Sequence, residues 1–299
     1  MNLTNPHEPT NLTNPTNFTN QMNPLAPIFV AHLLPVIEAR LIELLRSLAS
    51  ADWETRTIAP AWTVKDVAAH LLDTQLRKLS IVRDGYAPVP PPQLKSRDDL
   101  VAFVNRLNRE GVEMYRRLSP AVLISMMEIA SRESAAFHQA LDPMADAGFG
   151  VSWTGQDRSP NWFDTAREFT ERWHHQQHIR LATNKPGIMT RELYYPVLDC
   201  FMRALPFTYR AQAGDPGTLL RFNVPGDCGG SWYLYRDGAR WVQIESPRGR
   251  QVAETTIPQE IAWRIFTKGI DRETAERQVT IEGDQILGRH VLSMISIVG

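Results

Sequence analysis

Eight consecutive residues constrain this chain more than any others. Glu171-Arg172-Trp173-His174-His175-Gln176-Gln177-His178 holds one carboxylate and three of the eight histidines in the sequence. Wound as a helix at about 100° per residue, the segment gathers Glu171, His174, His175 and His178 into roughly 100° of arc. Such a face either points to water or lines an interior polar site. The second alternative carries chemistry, because imidazole and carboxylate are common ligands of zinc and its neighbours. Residues four apart on a helix can grip one ion. A tetrahedral site then needs a ligand from another element. His70 is a candidate, in Trp62-Thr63-Val64-Lys65-Asp66-Val67-Ala68-Ala69-His70-Leu71-Leu72. Thr63 with Asp66 three residues on reads as a capping box, with Asp in place of the usual Glu or Gln. His70 therefore falls mid-helix, where packing and hydrogen bonding alone also account for a histidine.

The rest of the first half supplies helices for these two to pack against. Residues 28–48 carry Phe29, Leu33, Ile37, Leu41, Leu44 and Leu45 at helical spacing. The His70 helix runs to near Gly85, and a loop at Val89-Pro90-Pro91-Pro92 can be neither helix nor central strand. Ser96 caps a third helix to about Leu118, residues 121–141 give a fourth, and residues 161–183 form the His-rich one. Long helices joined by modest loops predict an antiparallel four-helix bundle over residues 25–188, with metal ligands facing inward between helices. After residue 190 the pattern changes to one helix at 192–204 and short strands near 219–224, 231–235, 240–244 and 251–257. Arg236-Asp237-Gly238-Ala239 reads as a hairpin turn. Helices are expected at 258–268 and 286–298. Residues 189–299 thus read as a small α+β domain, making the whole an α+β protein. Residues 1–24 repeat Asn, Thr and Pro and read as a disordered low-complexity tail, with Met22 as an alternative start.

Charge excludes some roles. With 32 basic and 33 acidic side chains, the chain offers no basic stripe for nucleic acid. No apolar run is long enough to span a bilayer, and no leader-like segment opens the sequence. Cys200 and Cys228 form neither a disulfide framework nor a zinc spacing and read as buried structural thiols of a reducing, cytoplasmic protein.

Two motifs together resemble the DinB-like, mycothiol-dependent maleylpyruvate isomerase superfamily. Trp62 to Leu71 is similar to its W-x-V-x-D-V-x-x-H-L helix. Glu171, His175, His178, Ile179, Ala182, Asn184 and Pro186 follow its E-x-x-x-H-x-x-D-L-x-x-A-x-G-x-P pattern, with His178 in place of the acid and Asn184 in place of the glycine. Residues 282–299 resemble the end of the isomerase's second domain. The resemblance implies that His70, Glu171 and His175 bind a divalent metal, zinc first among them, and leave one position open. A three-histidine set is also found on this fold, and His174 and His178 have its spacing. The Glu171 and His175 register is preferred because Ile179, Ala182 and Pro186 then align. His178 becomes a neutral neighbour or a fourth ligand.

The activity so implied is metal-dependent chemistry with a low-molecular-weight thiol such as mycothiol, by an isomerase or a thiol S-transferase. The metal favours the thiolate, which attacks an unsaturated small-molecule substrate. Arg77, Arg83, Arg221, Arg236 and Arg240 are candidates to hold carboxylates, against a plain surface role for each. The alternative is a small-ligand-binding or regulatory module with a structural metal. Expected partners are small molecules, not nucleic acid or membrane, with the chain a monomer or small homo-oligomer.

Overall fold

The structure, a computed structural model, describes residues 25–88 and 92–298. The expected low-complexity tail and residues 89–91 of the proline loop lie outside the described residues. A short 3-10 turn leads into α1 (Leu34–Arg46). It is followed by α2 (Val64–Lys78), α3 (Arg97–Tyr115), α4 (Pro120–Ala140) and α5 (Asn161–Thr183). Of these five, α1 and α2 each pack against both α4 and α5, giving the four-helix bundle, while α3 lies against the outside of α2.

The caps explain the helix starts. Thr63 Oγ1 accepts from the Asp66 backbone N–H at 3.3 Å, and Asp66 Oδ2 accepts from the Thr63 N–H at 3.0 Å. This is the reciprocal capping box expected from sequence, with the shorter Asp able to close it. Ser96 Oγ accepts from the Asp99 N–H at 3.1 Å at the start of α3. α5 ends at Asn184, in the left-handed conformation at φ 52°, which Asn tolerates better than most residues.

The second half begins with α6 (Arg191–Met202) and α7 (Leu205–Tyr209), followed by β1 (Thr218–Val224), β2 (Gly230–Asp237), β3 (Arg240–Ile244) and β4 (Arg250–Thr256). Then come α8 (Gln259–Phe266), α9 (Arg272–Glu276), β5 (Thr280–Gly283) and α10 (Gln285–His290). The mixed sheet has the order β3-β2-β1-β4-β5, with β1 and β4 parallel and the other pairs antiparallel. Gly238, at φ 57°, makes the tight β2–β3 turn. β5 is a finding beyond the sequence reading. Its four residues are mostly exposed and pair only with β4, so they carry no alternating apolar signal. The expected terminal helix over 286–298 is also shorter. It ends at His290, passes through a 3-10 turn at Val291–Ser293, and then runs extended, held by the Ser296 N–H to the Phe266 carbonyl at 2.9 Å. This run carries Ile297 and Val298 to the wall of a cavity.

One apolar core joins the halves. Trp173 of α5 stacks on Tyr194 of α6 with ring centres 4.4 Å apart and planes 3° apart. Around them lie Leu34, Phe169, Phe201 and Phe266, all fully buried. A second cluster, with Leu41, Leu45, Leu71, Leu72 and Met127, fills the other end of the bundle. Among the described residues no helix is long and apolar enough to cross a membrane.

α2 carries His70, so its N-cap matters for the site. Thr63→Ala should cost about 1 kcal/mol of stability in denaturant titration, the usual worth of such a cap. A loss below a few tenths would show that tertiary packing alone fixes this end.

Candidate metal centre and its cavity

α2 and α5 pack side by side and bring three ligand-type side chains together. One ligand atom each of His70, Glu171 and His175 lies within 4.8 Å of the other two, and among the described residues this is the cluster of at least three that could hold an ion. His175 Nε2 is 3.4 Å from Glu171 Oε2. The rings of His70 and His175 meet edge to face at 4.6 Å, and Trp62 tilts over His70 at 4.7 Å. Ligands of one tetrahedral zinc stand roughly 3.4 Å apart, given bonds of about 2.0–2.2 Å. Small side-chain rotations close the difference.

The other two histidines of the arc are also buried, so the solvated-face alternative does not apply. His174 donates from Nδ1 to the Thr170 carbonyl at 2.8 Å if that nitrogen carries the proton. Its Nε2 then faces Glu171 Oε2 at 4.0 Å as an acceptor. His178 packs between His175, at 5.1 Å, and Trp263, at 5.7 Å. His70, His175 and His178 each keep a buried Nδ1 with no hydrogen-bond partner. Buried polar atoms without partners are exceptions in folded proteins. Three in one cluster fit a place built for an added group.

Protonation states suit a cation. Burial, then the nearby His175, pushes the His70 pKa well below its usual value, against the pull of Glu171. Burial also lowers His178 strongly, and lowers His174 to about 4. Burial alone would raise Glu171, but His174 and His175 hold it down to about 2. At neutral pH His70, His174 and His178 are therefore neutral and Glu171 is ionised, which are the forms that bind metal.

The cluster opens into a cavity of about 1080 Å³ between the bundle, the loop at Phe149 to Asp157 and the C-terminal segment. Next to it runs a buried charge network. Lys78 bonds Asp164 and also Glu168, the latter at 3.2 Å. Arg167 bonds Asp164 at 3.0 Å and also reaches Glu168. Arg172 joins Glu168, at 2.8 Å, to Glu38 of α1. Lys78, Arg167 and Arg172 thus balance Asp164, Glu168 and Glu38. Burial works against the ionised form of Glu168, yet Arg167 and Lys78 hold its pKa well below the ordinary range.

Of the five arginines expected to hold carboxylates, only Arg77 lines the cavity. Arg83 pairs with Asp84 and Glu133 on the surface. Arg221 pairs with Glu254 and Arg236 lies over Trp241, both on the sheet. Arg240 is exposed on β3. The cavity cations that the sequence reading passed over are Lys78, Arg109, Arg116, Arg167 and Lys268. Lys78 had a signal, since it stands two turns beyond His70 on the same side of α2. Cys200 and Cys228 are buried free thiols whose pKa values are raised, chiefly by burial.

The fold has known counterparts. The family model of the mycothiol maleylpyruvate isomerase N-terminal domain matches residues 34–180. A solved structure of mycothiol-dependent maleylpyruvate isomerase carrying a histidine-to-alanine substitution is similar at a TM-score of 0.51 and 12% identity, covering 85% of this chain and 92% of that one. A second structure of mycothiol-dependent maleylpyruvate isomerase aligns at a TM-score of 0.49 and 12% identity, over 79% of this chain and 86% of that one. At this identity the likeness is one of fold. No curated protein matches the chain.

Two predictions follow from this geometry. His70→Ala and His175→Ala should each lose bound zinc on dialysis against a weak chelator, while His174→Ala keeps it. Full metal retention in both of the first two would remove the assignment. The second concerns His138, which is hydrogen-bonded to Thr165 at 3.1 Å. Burial, then Lys78, lowers its pKa from 6.5 to about 3. A depressed histidine pKa means that the unfolded chain binds the extra proton first. Its contribution is thus complete above the unfolded value and declines as pH falls below 6.5. Metal-free protein should lose stability between about pH 7 and pH 5, and His138→Gln should lose measurably less. Parallel declines in the two proteins would count against this.

Proposed function

We propose, from the match of residues 34–180 to the mycothiol maleylpyruvate isomerase N-terminal domain model, that this chain is a metal-dependent enzyme of the DinB-like superfamily using a low-molecular-weight thiol. The observation that carries the reading is the approach of His70, Glu171 and His175 to within 4.8 Å at the wall of a ligand-sized cavity. Three protein ligands and one open position form the pattern of catalytic rather than structural zinc sites. A divalent ion held there supplies the positive charge that keeps a coordinated sulfur ionised near neutral pH.

The chain's own residues account for the rest of the site. Glu171 offsets part of the ion's charge. His70 stays neutral and available as a ligand. Trp62 covers the His70 and His175 rings and keeps water from that side. The ion-pair network of Lys78, Asp164 and Glu168 anchors the next turns of the same two helices, so the ligands are carried on rigid elements. Isomerase and S-transferase chemistry both begin with attack by the sulfur on an electrophilic carbon.

A second reading, a structural metal in a binding module, draws on the unpartnered Nδ1 of His178 beside His175. Were His178 a fourth ligand, the site would be closed. Cobalt substitution separates the two. Mycothiol, bacillithiol or glutathione, added singly, should produce a sulfur-to-cobalt charge-transfer band near neutral pH, below the free thiol pKa of about 8.5. The band should be absent in His175→Ala. A fully cobalt-loaded protein whose spectrum none of these thiols alters would favour the closed, structural site.

A further inference from the structure

The charges around the cavity, taken one at a time, define what the thiol could react with. Six cations line it: Arg77, Lys78, Arg109, Arg116, Arg167 and Lys268. Lys78 and Arg167 are held by Asp164 and Glu168. Arg116 Nε sits 2.8 Å from Asp66, and Arg77 lies 3.3 Å from Asp73 and 3.1 Å from the Asn108 amide oxygen. Lys268 is also partnered. That leaves Arg109, which is exposed on α3, where a single solvated ion pair contributes little. Glu113 and Asp157 add two more carboxylates to the wall. With the thiol on the open position of the proposed ion, a dianion entering this space would meet no buried protein cation free to receive it. Burying unpaired carboxylates carries a severe penalty.

The uncharged wall points the other way. Ile81, Leu100, Val104, Phe149, Ile297 and Val298 come from four separate parts of the chain and converge on the same cavity. Ile81 and Phe149 remain 41% and 49% exposed. At about 1080 Å³, the cavity matches the upper range of small-molecule sites, with room for a thiol and a second ligand together.

We infer that the second substrate is an uncharged, largely apolar electrophile of aryl size, such as an α,β-unsaturated ketone, rather than a dicarboxylate. This deepens the thiol-dependent reading and rests on it for the reaction. The sulfur bonds to the β-carbon while the double-bond pair shifts to the carbonyl oxygen. The α-carbon then takes a proton from solvent, replacing the one the thiol released. The product is a thioether ketone, and nothing is oxidised or reduced.

Binding tests the cavity without the thiol. Zinc-loaded protein is titrated calorimetrically with benzylacetone, an unreactive saturated ketone, and separately with maleate. Benzylacetone should bind at least about tenfold more tightly, and Val104→Asp and Ile81→Asp should each weaken it by about tenfold. Ile81 is exposed enough to accept Asp without loss of the fold. Tighter binding of maleate, or benzylacetone binding untouched by both variants, would overturn the inference. Because no thiol is present, a protein blind to thiols in the cobalt experiment can still pass or fail this one.

Discussion

Helix α5 is too polar to be buried for its own sake, and the rest of the fold is arranged to permit that burial. Asp164, Glu168, Arg172, His174, Gln176 and Arg180 all lie in the protein interior. All but His174, which bonds the Thr170 carbonyl of its own helix, are matched by a partner fixed in place by another part of the fold. Gln176 donates to the Ile37 carbonyl of α1 at 3.0 Å, and Arg180 donates to the Arg40 carbonyl at 3.1 Å. Arg172 reaches across to Glu38 and Ser134. A partly satisfied buried network is worse than an apolar core, whereas a satisfied one fixes a single arrangement. These pairings set how α1, α2 and α4 sit around α5.

Against that background the exceptions carry the meaning. Most buried polar groups of α5 are paired, but the Nδ1 atoms of His175 and His178 are not, nor is that of His70 across the interface on α2. The unpaired atoms gather where Glu171 brings a carboxylate. The ion-pair network begins within one turn of Glu171, at Glu168 and Arg172, and cancels its own charge. The two regions divide the labour along one helix: one holds the bundle together, and the other is left with coordination capacity.

Much of this was legible in the sequence because it is local. The arc of Glu171, His174, His175 and His178 follows from helical periodicity alone, and the Thr63 and Asp66 box from a three-residue spacing. The β2–β3 turn was visible in Asp237 and Gly238. What escaped was non-local. Asp164, Glu168 and Arg172 have the spacing of an ordinary solvated helix face, and only Lys78 and Glu38, far away in the chain, reveal that face as interior. β5 has no apolar alternation because only β4 pairs with it. The last helix stops at His290 because the chain that follows docks along Phe266 and the cavity wall. Arginine type alone said nothing about position, and only Arg77 among those named lines the cavity.

The central claim is that two imidazoles and one carboxylate from α2 and α5 hold a metal with one position left open. X-ray absorption at the zinc edge of the zinc-loaded protein addresses that set directly. The account predicts scattering from two imidazole rings, one carboxylate oxygen and one light atom that is replaced by sulfur when mycothiol is added. A first shell of three imidazoles, or of four protein ligands unchanged by mycothiol, would contradict it.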